Sequence, residues 1–367
     1  MRLAYLDAAR GVALVLMVVN HTARYWIGDD LARWPLIYVT TSAAGPAFLF
    51  LVGFVLPLSY RTSPHPMRRA MERAAMLFAA GYVVNAVLWP QQPLLGSNVL
   101  HTIGMAVLVA PLTRPWLDRP LARHALGAAG AALYVSFVWL FVPLTGWIGA
   151  HPLVAQLAFH DFPPWPWLGL VLLGLALGAG AAELRGAAAH ARFYARLGWA
   201  AAGLAAGALL AEWWWPVSPR LTFAYDLLLT NHWIPRGASV AWVLAWSFAT
   251  IAACFHLVER VGLPLRPLVI LGQTALFLYV AHHVIVVTIG QRALGLSLRS
   301  WPLYWLATAL LMAALVALGA GWGALRRGRR PEDVGGPDMA PHTHQRSARR
   351  GNAVAGLDNT GGARSVY

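Results

Sequence analysis

The sequence is poor in charged residues and in cysteine, and it contains no lysine at all. Of its 367 residues only 11% are charged, whereas 59% are hydrophobic. A soluble domain would carry about 25% charged residues. The single cysteine, Cys254, excludes an internal disulfide bond and a cysteine-rich metal site. These shortages indicate that water is not the main solvent of the protein.

Long apolar runs follow one another along the chain, and the mean hydropathy is +0.56. A transmembrane helix needs about 20 predominantly apolar residues. Tryptophans such as Trp26, Trp89 and Trp301 stand where these runs end, as is typical of membrane interfaces. Because helices satisfy their own backbone hydrogen bonds in lipid, we predict an all-α, polytopic membrane protein with about ten transmembrane helices. The predicted helices lie near residues 8–27, 42–60, 71–89, 97–113, 125–145, 166–183, 196–215, 238–258, 267–290 and 301–325.

The distribution of arginine predicts the orientation of these helices. Arginines are concentrated in the loops 61–73, 114–124 and 184–196, whereas the loops 90–96 and 146–165 contain none. Since cytoplasmic loops carry the excess of basic residues, we predict that both termini are cytoplasmic. The same loops and the C-terminal tail account for most of the net charge of +14, which therefore does not indicate nucleic-acid binding. The arginine-rich, lysine-free composition favours the cell inner (cytoplasmic) membrane of a bacterium.

The composition changes after Arg330, and this change predicts a domain boundary. Residues 331–367 are polar and rich in glycine, proline, serine and arginine, and they cannot bury enough apolar surface to fold. We therefore predict a transmembrane domain at 1–330 and a disordered cytoplasmic tail at 331–367.

The first predicted helix carries the densest set of polar residues: Asp7, Arg10, Asn20 and His21. Polar side chains inside a membrane are costly, which makes them candidates for function. Arg10 and His21 are 11 positions apart, close to three helical turns, so both project from one face about 16 Å apart. Asp7 precedes Arg10 by three positions, a spacing at which the carboxylate can hold the guanidinium group. Imidazole titrates near neutral pH, which suits His21 to general-base catalysis, and the forked guanidinium of Arg10 suits a phosphate or a carboxylate.

Further polar residues fall at a similar depth once the predicted topology is imposed. We interpret them, together with Asn20, as substrate- or donor-binding residues; they are Asn98, His101, Asp161, Trp167, Tyr279, His282 and His283. His282 and His283 are adjacent, hence about 100° apart on a helix, so we expect only one of them to face the site. No HExxH or other tight ligand spacing is present, and we predict no metal.

Several segments of the chain, in order, resemble one family of membrane proteins. The family opens with an Asp, an Arg-Gly pair, an apolar run and a His, followed by Pro-x-Phe-x-Phe-x-x-Gly on the next helix. Three later segments, NVLHTIGM, FPPWPWLGLVLLG and LGQTALFLYVAHHVIV, are similar to its later motifs. The family is that of the heparan-alpha-glucosaminide N-acetyltransferase-like proteins, related to the acyltransferase 3 superfamily and its Arg-x10-His motif. The matching residues of the opening pattern are Asp7, Arg10, Gly11, His21, Pro46, Phe48, Phe50 and Gly53.

This resemblance implies transfer of an acyl group, typically acetyl, from acetyl-CoA or another acyl-CoA to a sugar amine or hydroxyl. It implies that His21 is catalytic and that Arg10 acts towards the donor. One family motif has Asp where this chain has Asn98, so no carboxylate role is expected there. The expected partners are the lipid bilayer and a glycan or glycolipid acceptor. Whether the protein forms a homo-oligomer is left open.

Other interpretations stay open at this point. Asp7 and Arg10 can anchor the first helix at the inner membrane interface, and a hydrogen bond from His21 can serve helix packing alone. A transporter or flippase for a small solute or lipid-linked sugar is the main rival class, for which Gly45-Pro46 offers a helix break. A membrane partner or sensor without catalytic activity is the third.

Overall fold

The computed structural model describes residues 3–28, 31, 34–60, 66–90, 93–160, 162–214 and 238–328. Within these ranges the chain is helical apart from short connections, and a single backbone bridge joins Ile27 to Leu298. Two π-helical segments, His256–Arg260 and Val284–Ala293, directly follow the helices Ala238–Phe255 and Ala275–His283. The helices are α1 Ala4–Trp26, α2 Trp34–Tyr60, α3 Pro66–Leu88, α4 Val99–Leu117, α5 Pro120–Ala150, α6 Pro152–Phe159, α7 Pro164–Glu183, α8 Ala187–Trp214, α9 Ala238–Phe255, α10 Arg266–Gln273, α11 Ala275–His283 and α12 Trp301–Gly328.

The predicted all-α, polytopic membrane fold is confirmed. Six helical segments are long and apolar enough to cross a bilayer; they are Pro66–Leu88, Pro152–Glu183, Ala187–Ala211, Ala241–Arg260, Ala275–Ala293 and Trp301–Arg326. Large apolar side chains such as Leu121, Trp139 and Trp199 are exposed on the outside of the bundle, where lipid would cover them. The count of ten spans and the orientation of the termini stay predictions. The predicted tail at 331–367 lies outside the described residues, so the domain boundary also stays a prediction.

The structure differs from the predicted helices in two places. The helix predicted at 267–290 is divided, because α10 ends at Gln273 and α11 begins at Ala275. Between them the hydroxyl of Thr274 donates to the carbonyl of Ile270 over 2.7 Å. The loop predicted at 146–165 contains the short helix α6, whose apolar sequence begins with a proline in the first turn, a favourable place for it.

Helix α1 lies at the centre of the bundle, where it packs against α2, α9, α10 and α11. Its closest approach is to α10, because a Cβ on Gly11 would overlap the backbone carbonyl of Leu268, and a Cβ on Gly272 would overlap that of Asp7. Helices α2 and α7 meet in the same way, with Gly53 against the backbone of Val171. Small residues allow such close approach of membrane helices. The packing therefore fixes the register between α1, which carries Arg10 and His21, and the α10–α11 segment.

Candidate active site

Asp7 and Arg10 of α1 form an ion pair, and a side chain of α10 donates a further hydrogen bond to Asp7. Arg10 Nη1 donates to Asp7 Oδ1 over 3.1 Å, and Gln273 Nε2 donates to the other carboxylate oxygen over 3.2 Å. The Arg10 side chain keeps 27% of its surface exposed, against 10% for Asp7. The contact expected from the spacing of Asp7 and Arg10 is thus present. It leaves Asp7 with bonds to both oxygens and aligns the guanidinium group of Arg10.

A cavity of about 370 Å³ lies between α1, α2, α3, α4 and the α10–α11 segment. Its walls are mainly apolar, and its polar lining comes from Arg10, Ser59, Arg73, Gln273 and Tyr279. Along α1 the lining runs from Arg10 to Met17, about 10 Å of helix. The rest of the lining is Leu14, Phe48, Val52, Val55, Leu56, Leu77, Val99, Leu100, Ile103, Val107, Gly272, Ala275 and Leu276.

The two arginines of this cavity lie towards one end, and the tyrosine lies towards the other. Arg10 is in the second turn of α1, and Arg73 is in the second turn of α3. Tyr279 is on α11, six residues beyond Gln273. The ring of Tyr279 lies 4.7 Å from that of His283 and 5.8 Å from that of His282, centroid to centroid. The cavity lining therefore includes two cationic groups and a tyrosine whose ring lies beside His282 and His283.

Three histidines meet beyond this end of the cavity. His21 Nδ1 lies 3.0 Å from His282 Nε2, and the rings of His21 and His283 lie 4.4 Å apart, centroid to centroid. His282 and His283 are fully buried, and His21 is half-buried. His21 lies one turn beyond Met17 on the same face of α1. It is thus the member of the cluster that stands nearest to the α1 wall of the cavity.

The hydrogen bonds of the cluster determine which nitrogens carry hydrogen in the neutral imidazoles. His282 Nδ1 lies 2.8 Å from the carbonyl of Leu278, and His283 Nδ1 lies 2.8 Å from that of Tyr279. A carbonyl oxygen only accepts, so both Nδ1 atoms must donate, and both Nε2 atoms keep a lone pair. His21 Nδ1 then donates to His282 Nε2. The remaining nitrogen of His21, Nε2, carries a lone pair that can accept a proton.

The expectation that only one of His282 and His283 faces the site is wrong. Nitrogens of both lie within 4.8 Å of each other and of His21. Adjacent side chains diverge by about 100° at the helix surface, but here His21 of a neighbouring helix stands between the two directions. Both Nδ1 atoms are also held back to carbonyls of the preceding turn, which brings both rings to the same side.

Two aromatic residues lie against the histidines. The ring of Tyr25 stacks on His21 with centroids 6.4 Å apart, and the ring of Trp89 meets His283 edge-on at 6.1 Å. Tyr25 and Trp89 lie 5.7 Å from each other. Flat aromatic faces of this kind offer apolar contact to a ring-shaped ligand.

The structure places Asn98 and His101 together between α3 and α4, without a contact between His101 and the histidine cluster among the described residues. The side chain of Asn98 caps α4 and donates to Asn85 Oδ1 over 2.7 Å. His101 Nδ1 accepts the backbone N–H of Asn98 over 3.1 Å, and its ring lies 4.5 Å from that of Tyr82. These contacts give both residues a part in starting α4. Their predicted roles in binding stay predictions.

Three other predicted residues have separate surroundings. Asn20 donates to Thr40 Oγ1 and to the backbone carbonyl of Ile37, both over 3.1 Å. Trp167 is buried against Tyr134, and within the described part of the chain its indole N–H has no hydrogen-bond acceptor. Asp161 lies outside the described residues.

Arg73 and Gln273 line the cavity, but the sequence analysis did not include either among the candidate site residues. Arg73 counted only towards the charge of a cytoplasmic loop, whereas it lies on α3 and lines the cavity. The available signal was helical spacing, because Leu77, which also lines the cavity, follows Arg73 by four positions. Gln273 gave no local signal, since its contact with Asp7 depends on the packing of α10 against α1.

The fold defines a polytopic membrane protein, and three histidines converge inside its helical bundle. The heparan-alpha-glucosaminide N-acetyltransferase catalytic family matches residues 2–210, more than half of the chain. The chain therefore belongs to this family of membrane acetyltransferases, and the resemblance found in the sequence is confirmed. No curated protein matches the chain. The matched region contains Asp7, Arg10 and His21, whereas His282 and His283 come from the segment that follows it.

Proposed function

We propose that the protein transfers an acetyl group from acetyl-CoA to a sugar amine or hydroxyl of an envelope glycan or glycolipid. The observation that carries this proposal is the cavity that leads from Arg10 and Arg73 to Tyr279 and the histidine cluster. Its volume is in the range of small-molecule sites. Membership of a membrane acetyltransferase family supplies the reaction type.

The donor is held by charge at one end of the cavity and by apolar contact along it. Arg10 and Arg73 are permanent cations with several N–H donors, which suit the phosphates of coenzyme A. The linear acyl-pantetheine arm runs along the apolar wall formed by Leu14 and Met17 of α1, and the nucleotide stays outside. The acetyl thioester then lies beside Tyr279, within reach of an acceptor next to His21.

His21 acts as the general base of the transfer. The acceptor nitrogen or oxygen attacks the thioester carbonyl carbon, and its proton moves to His21 Nε2. The carbon–sulfur bond breaks, and the departing sulfur of coenzyme A takes the proton from His21. His282 orients His21, because it accepts the hydrogen of Nδ1 and keeps the lone pair on Nε2. The aromatic faces of Tyr25 and Trp89 hold the acceptor ring.

The orientation of the protein gives the two substrates separate routes. The arginine end of the cavity faces the cytoplasm, as the arginine-rich loops predict, so acetyl-CoA binds from that side. The acceptor reaches His21 from the opposite side of a bacterial inner membrane. The transmembrane domain at 1–330 carries the activity, and residues 331–367 form a cytoplasmic tail.

One observation favours the rival class of transporter. The break between α10 and α11 at Thr274 lies close to the cavity, and discontinuous helices at the midplane are typical of transporters. An acetyl-CoA consumption assay separates the two classes. Purified protein in detergent, given acetyl-CoA and a glucosamine-terminated glycolipid, is expected to release coenzyme A and to acetylate the acceptor in equal amounts. The proposal would be contradicted if the protein carried a sugar across the membrane of proteoliposomes but never formed an acetylated product.

A further inference from the structure

The imidazole groups of His21, His282 and His283 also have the arrangement of metal ligands. One nitrogen from each residue lies within 4.8 Å of the others. In a tetrahedral zinc site the nitrogens stand about 3.4 Å apart, since each lies about 2.0–2.1 Å from the ion. Small side-chain rotations would therefore bring the three nitrogens to bonding distance. None of these residues belongs to a sequence motif for zinc, so only the fold reveals the site.

The contacts around the cluster prepare two of the three ligands. His282 and His283 each donate their Nδ1 hydrogen to a backbone carbonyl, those of Leu278 and Tyr279, over 2.8 Å. Histidines that bind metals usually donate the other ring nitrogen in this way, which fixes the tautomer and the orientation of the ring. Both Nε2 lone pairs thus already point away from the carbonyls of their own helix.

We infer that this cluster is a reversible Zn²⁺ site, formed by His21 Nδ1, His282 Nε2 and His283 Nε2 with the fourth position open. Three neutral imidazoles suit Zn²⁺, whereas Mg²⁺ and Ca²⁺ require oxygen ligands. The guanidinium of Arg24, one turn along α1, acts electrostatically on His21. Its positive charge opposes binding of the cation, which favours a site that fills and empties over a permanently occupied structural one.

Zinc at this position would remove the base of the reaction. His21 Nδ1 now donates its hydrogen to His282 Nε2, and both nitrogens must present lone pairs to the ion. The hydrogen of His21 leaves Nδ1, and Nε2 takes up a proton, so the ring stays neutral. Nε2 then has no lone pair for the acceptor proton. Zn²⁺ is therefore an inhibitor of acetyl transfer, a consequence that rests on the proposed function.

Calorimetric titration of the full-length protein in detergent with Zn²⁺ tests the site directly. The wild type should bind one ion per chain, and His283→Gln and His282→Gln should each lose this binding. Loss of an outer hydrogen-bond partner alone typically costs 10–100-fold in affinity, so loss of a ligand should cost about 100-fold or more. His124→Ala, an exposed histidine on α5, should bind as the wild type does. The double variant His342→Ala with His344→Ala should also retain the ion, which assigns it to the bundle rather than to the tail.

A second measurement on the wild type alone guards against variants that fail to fold. Co²⁺ in place of Zn²⁺ should give the intense visible absorption of a tetrahedral site, and X-ray absorption of the zinc-loaded protein should show three imidazole ligands. Absence of stoichiometric binding, or binding that survives His283→Gln, would overturn the inference. Zinc binding by a protein that transfers no acetyl group would uphold the site and refute the proposed function. Full acetyl transfer without zinc binding would uphold the proposed function and refute the zinc site.

Discussion

The Nδ1 atom of His21 on α1 lies 3.0 Å from the Nε2 atom of His282 on α11. Since His282 Nδ1 donates to the carbonyl of Leu278, its Nε2 can only accept from His21. This single hydrogen bond orients the ring of His21 and fixes the tautomer that carries its hydrogen on Nδ1. It also couples the family's N-terminal helix to a segment beyond the region that the family match covers.

The variant His282→Ala tests whether this bond positions His21. We expect the turnover number to fall by about 100-fold, because a poorly placed base loses about that much, while the KM for acetyl-CoA changes little. Residues that act as a unit have non-additive effects, so adding His282→Ala to His21→Ala should cost almost nothing more. The double-mutant cycle is measured by steady-state kinetics. Two fully additive losses would show that His282 acts independently of His21.

The variant Arg73→Ala tests the arginine end of the cavity. A hydrogen bond to a charged group contributes about 1.5–3 kcal/mol, so the KM for acetyl-CoA should rise by roughly tenfold or more. Arg68→Ala is the matched control, because Arg68 lies on the same helix, is exposed and pairs with Glu72 over 2.9 Å without lining the cavity. Its KM should stay at the wild-type value. Equal effects of the two substitutions would point to general surface charge rather than to a phosphate site.

Filling the cavity tests whether the donor occupies it. Val52→Phe places extra volume in the apolar wall, and we expect weaker binding of acetyl-CoA and a still greater loss with longer acyl chains. Val83→Phe adds the same side chain at an exposed position of α3. This variant should leave the binding of acetyl-CoA and of longer acyl-CoAs unchanged. Thermal shifts of the purified protein with a series of acyl-CoAs provide the measurement. A wild-type response in Val52→Phe would exclude the cavity as the donor site.

The close packing of α1 on α10 predicts the effect of Gly272→Ala. A Cβ at this position would overlap the carbonyl of Asp7, and overpacking typically costs about 1–3 kcal/mol. The melting temperature in detergent should therefore fall, and the KM for acetyl-CoA should rise as Gln273 moves away from Asp7. Gly207→Ala on α8 is the control, because a Cβ there would meet no described atom within 4 Å apart from its chain neighbours and the nearby backbone of its own helix. A stable Gly272→Ala protein with normal kinetics would contradict this account of the packing.

Local patterns in the sequence predicted the features that depend on one helix. The pair Asp7–Arg10 follows from a three-residue spacing, and the shared face of Arg10 and His21 follows from three helical turns. The apolar runs predicted the all-α membrane fold, because lipid restricts the chain to helices.

Features that depend on contacts between distant segments could not be predicted. The sequence analysis treated His282 and His283 as alternatives, since their convergence requires His21 between them. Arg73 and Gln273 became site residues only through the packing of α3 and α10 around α1. The break at Thr274 has only a weak local signal, Gly272 two positions earlier, because a single glycine is tolerated inside a helix.

The most direct test of the account measures acetyl transfer by purified His21→Ala, beside wild type and His124→Ala of equal melting temperature. General-base catalysis typically contributes about 10²–10⁴-fold. The account therefore predicts a loss of at least about 100-fold in turnover for His21→Ala, with acetyl-CoA still stabilising the protein against heat, and full activity for His124→Ala. A folded His21→Ala protein that transfers acetyl groups at the wild-type rate would contradict the central claim that His21 takes the acceptor proton.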